Sequence, residues 1–268
     1  MLLKKLSKKI RLTILEVIYN AKTGHIGGSF SCIDILIFLF FQKIIFFDPK
    51  KPKHKNRDRF ILSKGHAALA LYSILFEKKI ISKKILNSFG TNKTLLMNHV
   101  SNKVNGVEFS TGSLGHGLPV SVGKALKFKS NKEKNRVYVL MSDGEINEGT
   151  TWESLLFANH HKLDNLNIII DYNKIQSMDF VSKVIKIEPL KQKLQSFGCK
   201  VYEVNGHSVK QLSRLLKKKV INKPKVIIAN TIKGKGVSFM ENNNLWHYKN
   251  PNQEQLKVAL KEIENKYA

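Results

Sequence analysis

Two oxygen-bearing side chains follow directly on apolar runs. Val137-Tyr138-Val139-Leu140-Met141 leads into Ser142-Asp143-Gly144, and Leu166-Asn167-Ile168-Ile169-Ile170 leads into Asp171-Tyr172-Asn173-Lys174-Ile175. A carboxylate and an amide oxygen suit a hard cation such as Mg²⁺, which keeps one or two protein carboxylates and takes further oxygens from phosphates. The chemistry that Asp143 and Asn173 suggest is a magnesium–diphosphate site, although an Asp-Gly turn after a strand is equally a structural feature. Four histidines, His25, His66, His99 and His247, stand in or beside glycine-rich or polar loops. Gathered at one ligand edge, they could move protons or hydrogen-bond a polyol; taken singly, each reads as a surface or capping residue. Their separations exclude a compact histidine metal motif. His54, His116, His160, His161 and His207 are read as ordinary surface or capping histidines.

For Asp143 and Asn173 to meet, the two runs must be neighbouring parallel strands. The stretch Val137–Ile175 reads as strand, acidic-glycine turn, helix from about Thr151, strand and asparagine, a βαβ unit. Parallel strand ends share one edge, where such sheets bind ligands. The rest alternates in the same way. An amphipathic helix runs to about Ala21 and a glycine-rich turn spans Thr23–Ser29. A second helix, capped by Ser29 or Ser31, runs through about Phe41. Arg59–Ser63 is a short strand before Lys64-Gly65-His66 and a helix from Ala67; a short helix covers Ser82–Phe89. The glycine-rich loop Ser110–Gly117 precedes a helix over Pro119–Lys129. That loop has neither a P-loop ending nor a dinucleotide fingerprint, but its glycines would let backbone approach a flat ligand. Beyond Ile175 a loop is expected until Leu190. After it come a helix, the strand Cys199–Val204, the helix Val209–Lys218, the strand Lys225–Thr231 and the closing helix Gln253–Tyr267. The fold class is therefore α/β, a doubly wound, mostly parallel sheet flanked by helices. A single domain is expected over 1–268, with the helical and loop region 1–60 packed on it.

The formal charge of +26 would ordinarily point to nucleic acid. Its make-up points elsewhere. Of the 46 basic residues only Arg11, Arg57, Arg59, Arg136 and Arg214 are arginine, the residue that reads bases and phosphates with a fork. Lysine, asparagine and isoleucine are enriched together, as AT-rich coding produces, and the runs Lys50–Lys55 and Lys217–Lys219 are read as solvated. No nucleic-acid partner is expected. Cys32 and Cys199 lack metal spacing and suit a reducing compartment. No secretory signal is recognised, and the apolar segment Ile33–Phe47 is too short and too interrupted to span a bilayer. No membrane role and a cytoplasmic location are expected.

Taken together, the motifs resemble a known family. Thr23-Gly24-His25-Ile26-Gly27-Gly28-Ser29, Ser63-Lys64-Gly65-His66-Ala67 and Ser110 through Gly117 occur in order with Ser142-Asp143-Gly144, Asp171 through Ile175, and Lys233-Gly234-Lys235-Gly236-Val237 with Trp246-His247. This pattern is similar to the N-terminal, diphosphate-binding half of transketolase in its split, two-chain form. The resemblance implies thiamine diphosphate and Mg²⁺, or another divalent cation such as Ca²⁺ or Mn²⁺. It implies Asp143, Asn173 and the Ile175 carbonyl as metal ligands, and Gly144 against the diphosphate. Gly112, Ser113 and Leu114 would hold the cofactor, and His66 would touch cofactor and donor sugar. His99 would bind donor hydroxyls; His25 and His247 would move protons, with His247 also at the cofactor. Glu148 would make a subunit contact. Two positions depart from the family: Ile26 where proline is frequent, and Ser142 for the first glycine of Gly-Asp-Gly.

The implied reaction moves a two-carbon ketol unit from a ketose, or ketose phosphate, to an aldose or aldose phosphate. The glutamate that activates the cofactor and most of the sugar-phosphate grip belong to the family's second domain. A separate C-terminal, pyrimidine-domain subunit is therefore expected, in an α₂β₂ assembly. Alternatives are a subunit of another thiamine diphosphate enzyme, such as a deoxyxylulose phosphate synthase, or a non-catalytic cofactor-binding partner.

Overall fold

The apolar runs form one five-stranded sheet in a computed structural model of the chain, which describes residues 2–267. Its strands are β1 (Arg59–Leu62), β2 (Val137–Ser142), β3 (Leu166–Tyr172), β4 (Lys200–Asn205) and β5 (Lys225–Asn230). They lie in the order β1-β2-β3-β5-β4, and every neighbouring pair is parallel. β2 and β3 are buried along their whole length, which explains why they read as near-continuous apolar runs.

Alternate strand residues feed opposite faces. Val137, Val139 and Met141 join Ile168, Ile170, Val226 and Ile228 in one core. That core is covered by α5 (Gly117–Ser130), α6 (Gly149–His160) and α8 (Leu190–Ser196). Tyr138, Leu140, Ile169, Ile227 and Ala229 belong to the other. There they meet α1 (Leu2–Ala21), α2 (Ile26–Phe41), α3 (Ala68–Glu77), α9 (Val209–Lys217) and α10 (Gln253–Lys266). Helices on both faces of a parallel sheet are the doubly wound arrangement. α2 buries every residue except Asp34 and Phe41, because other helices and the sheet surround it. Two short helices, α4 (Lys83–Asn87) and α7 (Val181–Val184), complete the set.

Several boundaries differ from the expectation. The Thr23–Ser29 segment is not all turn: α2 starts at Ile26, so Gly27 and Gly28 lie in its first turn. Gly27 is there for close packing, since a Cβ would come within 2.8 Å of the Trp246 carbonyl oxygen. Ser29 and Ser31 do not cap α2. They sit inside it and donate to the carbonyls of His25 and Gly28 at 2.8 and 3.0 Å. The stretch expected as loop to Leu190 contains α7, and α6 begins at Gly149 rather than Thr151. The Asp143–Gly144 turn is a short 3₁₀ helix, Asp143–Asn147. The lysines at 50, 51, 53 and 55 and at 217 to 219 are exposed, and both cysteines are free and buried. Among the described residues, no helix is long and apolar enough to cross a membrane.

Candidate active site

Register brings the two oxygen donors together. Ser142 on β2 pairs with Asp171 on β3, so Asp143 and Asn173 leave the sheet side by side at its carboxyl edge. Lys174 takes a left-handed φ of 67°, a sharp bend that few non-glycine residues adopt away from special sites. Its amide donates to Asp143 Oδ2 at 2.7 Å, and the Ile175 amide donates to Asn173 Oδ1 at 3.1 Å. Burial, reinforced by the negative charge of Asp171, pushes the Asp143 carboxyl up to about 7. A buried carboxylate so disfavoured as an anion gains most from a cation placed on it.

The four candidate histidines, distant in sequence, converge. The His25 ring lies 5.4 Å from that of His66, 5.8 Å from His99 and 5.4 Å from His247, while His66 and His247 stack at 5.7 Å. Burial lowers His25 to about 4, helped by His99 and Lys233. Burial with the Lys233 charge lowers His247 to about 3, and burial with Lys64 holds His66 well below the ordinary imidazole value. These three rings are uncharged at neutral pH. His25, His66, His99, His247, Gly112, Leu114, Asp143, Gly144, Asn173 and Ile175 all line one cavity of about 400 Å³. Ser113 does not line it; its side chain faces solvent.

Four buried charges to which the motifs assigned no role support this cavity. Lys233 donates to the carbonyls of Ile175 at 3.0 Å and Gln176 at 3.1 Å, and to His247 Nδ1 at 2.7 Å. An ammonium only donates, so Nδ1 accepts and the neutral ring carries its proton on Nε2. Burial lowers Lys233 to about 8. Lys64, fully buried, pairs with Asp171 and donates to the Gly28 carbonyl at 3.0 Å; Asp171 also accepts from Ser31 at 2.5 Å and from Thr231. Glu145, also fully buried, accepts from Ser63, from the Gly115 amide at 3.3 Å and from the Ser142 amide at 2.8 Å. It thereby ties the glycine-rich loop to the Asp143 turn.

Comparison with known proteins decides the family. The profile described as "Transketolase, thiamine diphosphate binding domain" matches residues 3–263. The chain belongs to this transketolase domain family. It is 40% identical over 259 residues to a subunit of the apulose-4-phosphate transketolase of Phocaeicola vulgatus, covering 96% of this chain and 92% of that protein. It is 36% identical over 262 residues to the 6-deoxy-6-sulfo-D-fructose transketolase subunit SqwG of a Clostridium species, covering 97% and 95%. The crystal structure of Campylobacter jejuni transketolase superposes with a TM-score of 0.92 at 30% identity, over 98% of this chain but 42% of that one. The chain thus spans about two fifths of that solved transketolase, and its relatives are transferases of the transketolase kind.

The residues of this transketolase-type domain fit thiamine diphosphate and a divalent cation. Asp143 is a buried carboxylate whose ionised form a cation would stabilise, and the Ile175 carbonyl, which accepts from Lys233, retains a second lone pair. Three buried polar atoms of residues that line the cavity, His25 Nδ1, Asn147 Oδ1 and Gln176 Nε2, have no hydrogen-bond partner among the described residues. At Gly144 an added Cβ would meet the Leu114 and Gln176 side chains in ordinary contact, at 3.7 and 3.8 Å. His207, read from sequence as a surface or capping residue, is half-buried and hydrogen-bonded through both ring nitrogens.

Proposed function

We propose that this chain is the diphosphate-binding subunit of a two-chain transketolase that moves a two-carbon ketol unit from a ketose, or its phosphate, to an aldose or aldose phosphate. One observation carries the reading: the Asp143 carboxylate, the Asn173 amide and four histidines share a single cavity at the carboxyl edge of a parallel sheet. Oxo-acid chemistry has no need of four hydrogen-bonding rings, whereas a polyhydroxylated donor does.

Asp143, Asn173 and the Ile175 carbonyl would hold Mg²⁺, or Ca²⁺ or Mn²⁺ in its place, with Gly144 against the diphosphate. Gly112, Leu114 and the Ser113 backbone would hold the cofactor. Thiamine diphosphate, once bound, supplies the nucleophilic carbon that accepts the ketol unit. His66 and His99 would orient the donor's hydroxyls. His25 and His247 would shuttle protons to and from hydroxyl oxygens; His247 presents its Nε2 proton because Lys233 engages Nδ1. Uncharged rings in a buried site can both accept and return a proton.

The glutamate that activates the cofactor and the sugar-phosphate grip would come from a separate pyrimidine-domain chain in an α₂β₂ complex. Support comes from relatives that are themselves named as transketolase subunits, which this chain covers nearly whole. It also comes from an apolar rim at the cavity mouth, where Met178 and Ile185 are 73% and 57% exposed. Such a rim suits a protein partner. The relatives' names include a phosphorylated and a sulfonated sugar, so the test uses a panel of ketose donors. The purified chain should be inactive with Mg²⁺ and thiamine diphosphate, and active with at least one ketose once its partner is added. Turnover by the chain alone, or turnover of pyruvate in preference to every ketose, would refute the proposal.

A further inference from the structure

Outside the cavity, a histidine and a carboxylate form a relay that the proposed reaction does not use directly. β4 ends at Asn205, whose Oδ1 accepts from the His207 amide at 2.9 Å while its own amide donates to Gln211 at 2.9 Å. The next residue, Gly206, donates to the Asn230 carbonyl at 2.8 Å, and a Cβ there would lie 2.4 Å from Thr231 Cγ2. The turn is therefore pressed against the end of β5, and only glycine fits. From it the His207 ring reaches between α2 and the segment that follows β5. Its Nδ1 lies 2.7 Å from Asp34 Oδ2, and its Nε2 lies 3.0 Å from the Ile232 amide nitrogen.

The partners fix the tautomer. A backbone amide can only donate, so Nε2 accepts, and the ring proton sits on Nδ1 facing Asp34. Burial alone would raise the Asp34 carboxyl. The Arg11 guanidinium, at 3.0 and 3.1 Å, outweighs it and keeps Asp34 ionised. The same arginine reaches past Asp34 and donates from Nε to the Lys235 carbonyl at 3.0 Å. Between these two points the Gly234 amide donates to the Gly27 carbonyl at 3.0 Å. Residues 232, 234 and 235 are thus each tied to α1, α2 or the His207 turn. Lys233, between those ties, is the one whose side chain enters the cavity and holds His247.

We propose that His207 is a positioning residue: it fixes the Ile232 amide, and thereby the segment that delivers Lys233 to His247. This inference rests on the reading of the cavity as a ketol-transfer site. The Asp34 that orients His207 lies on α2, the helix that begins beside His25, so one relay sets the positions of two proton-moving histidines relative to each other. A merely space-filling ring would not need an acceptor at Nε2.

The experiment compares H207L with H207Q in the assembled enzyme with Mg²⁺ and thiamine diphosphate. The glutamine carbonyl can accept from the Ile232 amide where Nε2 does; leucine cannot. Loss of a fixed position by an ångström lowers turnover about a hundredfold, so H207L should lose kcat on that scale while H207Q stays within about tenfold of wild type. Equal loss in both variants, or loss in neither, overturns the proposal. Nitrogen-15 NMR of the histidine-labelled wild-type chain, with His207 assigned by its absence in H207Q, should show the Nδ1–H tautomer. An Nε2–H tautomer also overturns it, even if H207L does not fold. Wild-type enzyme that turns over no ketose would instead refute the functional reading, and the tautomer would still decide the role of His207.

Discussion

Replacing Lys64 by methionine tests whether the floor of the site is held by charge. Lys64 and Asp171 both have fully buried side chains, and Asp171 also takes hydrogen bonds from Ser31 and Thr231. Breaking a buried pair from one side strands the other charge and costs about 3–5 kcal/mol. The single variants Lys64→Met and Asp171→Asn should each fall in that range in urea unfolding followed by circular dichroism. Together they should cost less than their sum by about 2 kcal/mol, because the double variant strands no charge. The exposed pair Lys183–Asp179 is the control; removing Lys183 should leave the urea midpoint essentially unchanged. A functional consequence follows from the same geometry. The Lys64 charge draws the Asp143 carboxyl down, so its loss should move Asp143 above about 7, and Mg²⁺-dependent cofactor binding should then depend more steeply on pH near neutrality as protons compete for that carboxylate. Two results would refute the reasoning: a Lys64→Met cost below about 1 kcal/mol, or strict additivity in the double variant.

Three further outcomes are expected. Asp143→Ala should abolish Mg²⁺-dependent thiamine diphosphate binding in titration calorimetry of the assembled enzyme; wild-type affinity in the variant would exclude Asp143 as the metal ligand. His25 and His247, held at about 4 and about 3, should show no protonation by nitrogen-15 NMR as pH is lowered from about 8 to about 5. Because the unfolded chain takes up those protons near pH 6.5, the folded state should lose stability as pH falls through that value. A midpoint for either ring above about pH 6 would contradict the buried, neutral description. Gly27→Ala should displace the Trp246 carbonyl, which an added Cβ would approach to 2.8 Å, and cost about 1–3 kcal/mol together with kcat, read from urea midpoints and turnover.

The sheet and the meeting of Asp143 with Asn173 were legible because burial on both faces writes itself as apolar runs, and parallel order fixes which strand ends share an edge. The start of α2 was not. Gly27 and Gly28 have low intrinsic helix preference, yet the helix forms because its whole first turn is packed, and a bare backbone is what lets Trp246 approach. Periodicity cannot reveal a contact between residues 27 and 246. The convergence of the four histidines was likewise open residue by residue, since no local pattern brings His25, His66, His99 and His247 within one cavity; only the ordered set of motifs suggested it.

The buried lysines mark a different limit. In a chain with 46 basic residues and five arginines, lysine is background, and residue type alone does not distinguish Lys64 and Lys233 from the exposed run at 217 to 219. Physical chemistry does distinguish them. A buried ammonium persists only where carboxylates or carbonyls surround it, and both lysines stand directly before a glycine in a turn beyond a strand's carboxyl end. At that edge Asp143 and Asp171 would repel each other, and Lys64 and Lys233 are the cations that let the two carboxylates coexist. A divalent cation at Asp143 would add to that balance rather than create it. The lysines should therefore set how tightly the metal binds, and a variant lacking Lys233 should change Mg²⁺ affinity even though Lys233 contributes no metal ligand. Unchanged Mg²⁺ affinity in Lys233→Met, measured beside loss of kcat, would confine Lys233 to holding His247.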